Sequence, residues 1–538
     1  MDISQAVELA VENVAKEGLT DIFPPPEELG LLKNKAFRQK INEIVKKSIN
    51  GGSLDSLDVN PIGHVLLPKG GPFDFRKCAL IQPLDTIKYL ALVLTMASEI
   101  EKKRLSPHRH IIYSYRFKPQ KGYLFNPKCS YTHFKQHAAT ISHRGSSKFL
   151  VTCDIANFYD RLNLHRLESI LLSLKIDAKL VKQLNQLLLF WANRDSYGLP
   201  VGSNASRILA EAALLEVDNY MCSIGARFSR FVDDYRFFAP DAHSAHYWLT
   251  QLIERLWLEG LTINKSKTKI EEIHPTTVVG KSLSAKKSHK VASSQLNAIA
   301  EQQETCRPQF RIVAGYGGDI PTIFRAPASQ EIEKLSKTDA NAKLLEIKSK
   351  QLPTPEDITD LIKSIISTGN FHLFVALPEV ADLFPQFTPY IVDVLCKYAD
   401  SVPSKDRQDI TKKFVRRLRS KPPMPEYIAM AIVRLLGTQH YVAKDALLSF
   451  FRKLERNAGA YIGRALLDAL GPHVSRGEVL EIRRYFDRAD AWEKRQITRI
   501  VDRHLDEDEK RPWLKNVKTQ SARDPFLAEQ IKSTPTAP

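Results

Sequence analysis

The chain has 538 residues, 43% hydrophobic and 26% charged, a composition that fits folded globular protein and excludes a disordered polar chain. The length allows roughly three to four domain-sized units, and no run of about 18 or more apolar residues offers a membrane span. The formal net charge of +17 excludes an acidic protein and makes polyanionic partners the first to weigh against a merely solvated basic surface.

The first residues, MDISQAVELAVENVAKEG, are acidic and helix-patterned, without the basic start and apolar run of a secretory signal. A cytoplasmic location is the expectation. Residues 1–65 read as helices and loops, interrupted at Pro24, Pro25 and Pro26. From Arg76 to Arg104 an extended start turns into a helix, with apolar residues at helical spacing in LDTIKYLALVLTMASEIEKKR. Between Lys102 and Lys148 there is no acidic residue, and cations alternate with Tyr113, Tyr115, Phe117, Tyr123, Phe125, Tyr131 and Phe134. Phosphates need cations and bases stack on rings, so this mixture suits nucleic acid.

The run KFLVTC, residues 148–153, is β-rich and ends at Asp154. One long amphipathic helix is expected from about Leu164 to Trp191, then a Gly/Pro loop from Gly198 to Gly202, then a helix over ASRILAEAALLEVDNYM. Arg227 to Phe238, RFSRFVDDYRFF, reads as a hairpin with Asp233 and Asp234 at its turn. A helix over about 243–259 and a loop with a short strand at GLTINKSKT follow. Residues 276–330 are mixed and basic. From about 354 onward short apolar helices recur, each broken by Pro, Gly or polar residues. Such units cannot bury a core alone, which favours a stacked helical array over an irregular bundle.

Cys78, Cys129, Cys153, Cys222, Cys306 and Cys396 form no C-x-x-C pair, which argues against a zinc ribbon or a disulfide framework. The i, i+4 pair His133 and His137 lacks the glutamate of the zinc-protease pattern. His243 and His246 share that weakness. No phosphate-binding G-x-x-x-x-G-K-[ST] is present, and the Gly-rich stretch from Gly315 to Asp319 reads as a turn.

Asp154 alone is an aspartate after a strand. Asp233 and Asp234 are two adjacent carboxylates among Phe231, Tyr235, Phe237 and Phe238, a costly arrangement without a counter-charge. A divalent cation supplies one, and oxygen ligands select Mg²⁺ or Mn²⁺ over zinc.

Four features in order carry more than any one: the β-rich segment with Asp154, then GLPVGSNASRILAE, then FVDD, then GLTINKSKT. Together they resemble motifs A to D of reverse transcriptases, over about 148–270 and more weakly over 68–147. The form of the second motif, with Val201 in its loop, is similar to the abortive-infection and related phage-defence branch, as is the helical C-terminal third. Phe231 stands where the family's Y-x-D-D box usually has tyrosine.

The resemblance implies an α+β fold: a right-hand polymerase with fingers and an RRM-like antiparallel palm sheet, followed by an all-α HEAT-like repeat domain. The divisions expected are 1–147 for N-terminal helices and fingers, 148–275 for the palm, 276–353 for a connector or thumb-like region, and 354–538 for the helical repeats. It implies that Asp154, Asp233 and Asp234, with the backbone of Ile155, hold two Mg²⁺ ions, Mn²⁺ being the alternative. Lys267 would neutralise or protonate the leaving pyrophosphate. Tyr159 would pack under the incoming sugar and favour dNTPs. Pro200 and Gly202 would touch the template and nascent pair, and Lys69, Arg76 and Arg116 would contact the triphosphate. It further implies dNTPs as substrates, a DNA product, an RNA template or noncoding RNA, synthesis without an added template, DNA joined covalently to a Tyr or Ser of the chain, and a homo-oligomer. A basic unit from Lys405 to Lys421, with eight cations and two acids, is a further nucleic-acid candidate or a plain solvated helix. Two other readings stand beside this one: a conventional RNA-templated retron or intron enzyme, and an inactive nucleic-acid-binding scaffold.

Overall fold

The computed structural model describes residues 1–19, 27–68, 75–143, 147–193, 195–273, 339–350, 354–420, 424–454, 460–520 and 523–533. Lys69, Cys306, the Gly315 to Asp319 turn and nearly all of the expected 276–353 connector lie outside them. Among the described residues no helix is long and apolar enough to cross a membrane.

Eight strands are described: β1 (Gly63–Pro68), β2 (Phe75–Leu80), β3 (Phe117–Gln120), β4 (Tyr123–Phe125), β5 (Phe149–Asp154), β6 (Phe228–Phe231), β7 (Asp234–Ala239) and β8 (Lys269–Glu272). The chain divides into two compact units. The first takes in the described residues of Met1–Asp21, Arg38–Pro61 and Pro83–Arg311; the second those of Ile22–Phe37, Ile62–Gln82 and Ile312–Pro538. The second thus includes two segments from within the 1–147 stretch.

The first unit is built on a four-stranded antiparallel sheet in the order β6-β7-β5-β8. β5 and β7 alternate in burial as half-buried strands do, with Val151, Cys153, Tyr235 and Phe237 inside. The helix Ala242–Leu258, capped by the Asp241 carboxylate on the Ser244 N–H, packs on β5 and β7. The helix Pro83–Lys103, buried along most of its length, packs against Ile3–Glu17 and Asn204–Ala213.

Two helices expected as continuous are each two. Leu164–Ser173 ends at Leu174, and Ala178–Trp191 starts afresh with Asp177 accepting from the Lys179 N–H. The periodicity survives the break because both pieces bury one apolar face, and the cap decides the boundary. Asn204–Ala213 and Leu215–Ser223 are likewise separate, joined at Leu214. The strand expected within residues 260–268 forms a few residues later, as β8.

In the second unit the β1–β2 hairpin packs against the helix Glu426–Leu436, with the Phe75 and Tyr427 rings 5.8 Å apart. The helices Thr388–Lys397, Glu426–Leu436, Ala460–Leu470, Ala491–His504 and Pro525–Ser533 pack in succession, while the helices between them in sequence pair with their neighbours. Each helix therefore buries its apolar stripe against the next pair, so one core runs through the series from Leu344 to Leu527.

Candidate active site

Sheet register places the acids. Asp154, the last residue of β5, lies directly opposite Asp234, the first of β7. β6 and β7 close through Val232 and Asp233, with Phe231 paired to Asp234 across the turn. The Ile155 N–H donates to the Asp233 carbonyl at 3.1 Å, which ties the end of β5 to the turn. Val232 adopts a φ of 58°, in the left-handed region that a β-branched residue disfavours. The turn is therefore held by its surroundings.

A buried charge network does much of that holding. Arg230 is fully buried. Its Nη1 donates to the Val232 carbonyl at 2.7 Å, Nη2 pairs with Glu211 at 2.9 Å and with Asp218 at 2.6 Å, and Nε donates to Asp218 at 2.9 Å. Arg104 reaches Glu211 from the other side at 2.6 Å, and Tyr235 donates its hydroxyl to Asp218 at 3.1 Å. Burial pushes the Glu211 carboxyl up, but Arg104 and Arg230 outweigh it and leave it below its ordinary value. At Asp218 burial wins over Arg230, and the carboxyl stays above its ordinary value. A charge inside the buried strand FSRF, at Arg230, and an acid inside ILAEAALL, at Glu211, are the sequence signals of this network.

The other site residues converge through backbone stitching. The Asn264 N–H donates to the Asp154 carbonyl at 2.7 Å, the Asn264 amide to Asp154 Oδ2 at 3.3 Å, and Lys267 Nζ lies 3.5 Å from the same oxygen. The Leu199 N–H donates to the Tyr159 carbonyl and the Gly198 N–H to the Leu162 carbonyl, both at 2.9 Å, so the Gly198–Gly202 loop lies along the segment that carries Tyr159. Gly198 and Gly202 have φ values of 99° and 108°, open to glycine alone at little cost. Ser206 Oγ anchors the loop by donating to the Pro200 carbonyl at 2.6 Å. Burial raises the Tyr159 hydroxyl well above its ordinary value, and the charges of Tyr115, Arg207 and Asp233 also bear on it. Arg207, with no role expected from the sequence, sits over the Tyr115 ring at 5.3 Å.

Phe231 accounts for its own departure from tyrosine. It is buried among Tyr115, Tyr131 and Phe134, with ring centroids 5.3–6.1 Å away, a pocket with no need of a hydroxyl.

Not all expected contacts gather here. Arg116 is buried, its guanidinium paired with Glu101 at 2.7 Å and donating to the Leu105 carbonyl at 2.9 Å. Its guanidinium is thus already engaged within the first unit. Arg76 belongs to β2 of the second unit.

The acids raise one another. Burial, then Asp154 and Asp234, push Asp233 from 3.8 to about 7. Burial and Asp154 push Asp234 from 3.8 to about 6. Asp233 Oδ1 is buried and has no hydrogen-bond partner among the described residues. Oxygen-only donors, mutual repulsion and an orphaned carboxylate oxygen fit a hard divalent cation. As they stand, no group of three or more His, Cys, Asp and Glu side chains among the described residues converges closely enough to hold an ion.

Because both carboxyls titrate above their unfolded value, the folded protein binds extra protons between about pH 4 and 7. The stability they contribute is complete below the unfolded value and is lost as pH rises through about 6 to 7. In EDTA, the melting temperature is expected to fall by a few degrees across that window, and Asp233→Asn to flatten the fall. A pH-independent difference between the two proteins in scanning calorimetry would refute the coupling.

Residues 87–306 match the family described as reverse transcriptase (RNA-dependent DNA polymerase). All three acids, Tyr159, the Gly198–Gly202 loop and Lys267 fall inside that stretch. The match indicates a reverse-transcriptase domain within that stretch, and reverse transcriptases are nucleotidyltransferases. No curated protein matches the chain. Among solved structures, the telomerase of Candida tropicalis with a fragment of telomeric RNA is similar at 12% identity and a TM-score of 0.28, covering 70% of this chain and 64% of that one. The telomerase of Candida albicans, also with an RNA fragment, is similar at 12% identity and 0.26, covering 80% and 69%. At those scores neither likeness carries an argument, and the chain spans somewhat under two thirds of the first.

Proposed function

We propose that this chain is a DNA polymerase of the phage-defence reverse transcriptases, joining dNTPs at a two-metal site. The observation that carries the reading is the facing of Asp154 and Asp234 in register across β5 and β7, with Asp233 in the turn between β6 and β7, inside the stretch that matches the family.

Asp154, Asp233 and Asp234, with the Ile155 backbone beside them, would hold two Mg²⁺ or Mn²⁺ ions. Bound there, such ions polarise phosphoryl oxygens and activate an attacking hydroxyl. The remaining work belongs to the chain. Lys267, its side chain 61% exposed, would leave Asp154 to neutralise the departing pyrophosphate or give it a proton. Pro200 and Gly202 present close backbone to a base pair. Tyr159 lies under the sugar and excludes a 2′-hydroxyl. Tyr159→Ala is expected to raise ribonucleotide use relative to dNTP use by about 10–200-fold, the range that a sterically relaxed pocket gives. Equal ratios of kcat/KM in the two proteins would remove Tyr159 from that role. Lys69 and Arg76 remain candidates for triphosphate contact.

The defence assignment is supported by the GLPVG loop form, Phe231 and the helical second unit, read as HEAT-like repeats. The same resemblance supports untemplated synthesis, attachment of DNA to a Tyr or Ser, a noncoding RNA partner and self-association. Purified protein incubated with each labelled dNTP and Mg²⁺, with and without RNA template, tests this directly. Label that enters a denaturing protein gel without template, and leaves the protein band after protease, is the expected result. Incorporation only on an added RNA template with a paired primer favours the retron or intron type. No incorporation under any condition favours the scaffold.

A further inference from the structure

The helix Ser404–Arg419 of the second unit carries its cations in two sets. One set faces neighbouring elements of that unit and is engaged there. Lys413 binds Glu379 at 2.7 Å, Arg417 pairs with Asp382, and Arg407 donates to the Ala399 carbonyl at 2.9 Å. The other set is Lys405, Lys412, Arg416 and Arg419, all exposed. With Gln408 they follow the 3–4 spacing of one helix face, opposite the buried Ile410, Phe414 and Leu418. Among the described residues the ion pair formed by this stripe is the 3.4 Å contact of Lys412 with half-buried Asp409. From Lys405 to Arg419 the stripe runs about 21 Å at about 1.5 Å per residue.

Helix electrostatics explain part of this and leave part over. Arg416 and Arg419 lie in the last turn, where cations offset the macrodipole. Lys405 lies in the first turn, where a cation is unfavourable, so the dipole does not account for the stripe as a whole. No large apolar side chain of this helix is exposed, so it offers phosphate contacts without base stacking.

We infer that this stripe is a sequence-independent track for the phosphates of a single DNA strand, the product of the reverse-transcriptase domain. Charge complementarity selects the polyanion. A single strand can set its phosphates to the spacing of the cations, which a rigid duplex cannot. The choice of DNA as occupant rests on the polymerase reading above; the phosphate track does not.

The test is fluorescence anisotropy of a labelled single-stranded DNA oligonucleotide with full-length protein across a salt series. The comparison is the wild type against K405Q/K412Q/R416Q/R419Q. Glutamine keeps helix propensity at exposed positions, and circular dichroism checks the fold. Each phosphate contact adds about 0.7 to the slope of log affinity against log salt for a single strand, so the variant should lose about 2.8. Raising salt from about 50 to about 200 mM then weakens the wild type about 50-fold more than the variant. Unchanged slope and affinity would overturn the track. A larger slope loss on an RNA oligonucleotide than on DNA would overturn the choice of strand. Both measurements are repeated in a D233N/D234N background, where the slope loss should persist. A failed polymerase reading and a failed track are thereby told apart.

Discussion

Asp233→Asn, alone or with Asp234→Asn, is expected to cut dNTP incorporation by at least about a thousandfold, the size of several kcal/mol of lost transition-state stabilisation. Asparagine keeps the shape and removes the charge. Asp233 closes the β6–β7 turn, its carbonyl accepts from the Ile155 N–H, and neither role needs an ionised side chain. The fold should therefore survive, and with more to spare. Burial and two neighbouring acids hold the Asp233 carboxyl at about 7, so above that pH the native protein pays for a crowded anion that asparagine lacks. Loss of activity with an equal or higher melting temperature at pH 8 is the paired outcome. Measurable incorporation by a pure D233N/D234N protein would remove the proposed site, and a lower melting temperature would show that the acid is structural.

Arg230→Met is expected to cost about 3–5 kcal/mol of stability, the usual penalty for stripping one partner from a buried ion pair. Glu211 and Asp218 would be left facing each other without the guanidinium that binds both. The Val232 carbonyl would lose its donor in a turn whose φ of 58° already disfavours valine. Arg230→Lys separates the two effects. It keeps a charge for the carboxylates but cannot span Glu211, Asp218 and the carbonyl together. Urea unfolding should therefore recover part of the loss in Arg230→Lys, while incorporation, which depends on where the turn holds Asp233, recovers less. Equal recovery of both would make Arg230 a packing residue with no hold on the site.

Much of the first unit is legible in the sequence because its signals are local. A β-rich run before Asp154, a two-residue turn at Val232 and Asp233, and glycines at 198 and 202 each impose a backbone shape on their own few residues. The helix breaks at Leu174 and Leu214 were not legible: the first is set by the Asp177 cap and not by periodicity, and the second has no side-chain cap to mark it. Nor was the Arg104, Glu211, Asp218 and Arg230 network, whose members are distant in sequence and meet only through packing. The pairing of Arg116, a cation in a basic stretch, with Glu101 on the preceding helix is hidden for the same reason. The second unit showed its helices through their apolar spacing, but not that the β1–β2 hairpin joins them.

The charges of this network act over a short range. Arg104 and Arg230 stand against Glu211 and Asp218, cation for anion, and Arg104 leads on to Glu101 and its partner Arg116, so the set is nearly electroneutral. The field of such a multipole dies away much faster than that of a lone charge. Accordingly, the charges that weigh most on Asp233 are Asp154, Asp234 and Lys267, although Arg230 grips the carbonyl of the residue before it. The scaffold fixes where the acids stand and leaves their electrostatics to themselves. In the proposed two-metal site, affinity for a cation would then be tuned at Lys267, on the exposed rim, without reworking the interior that holds the acids in place.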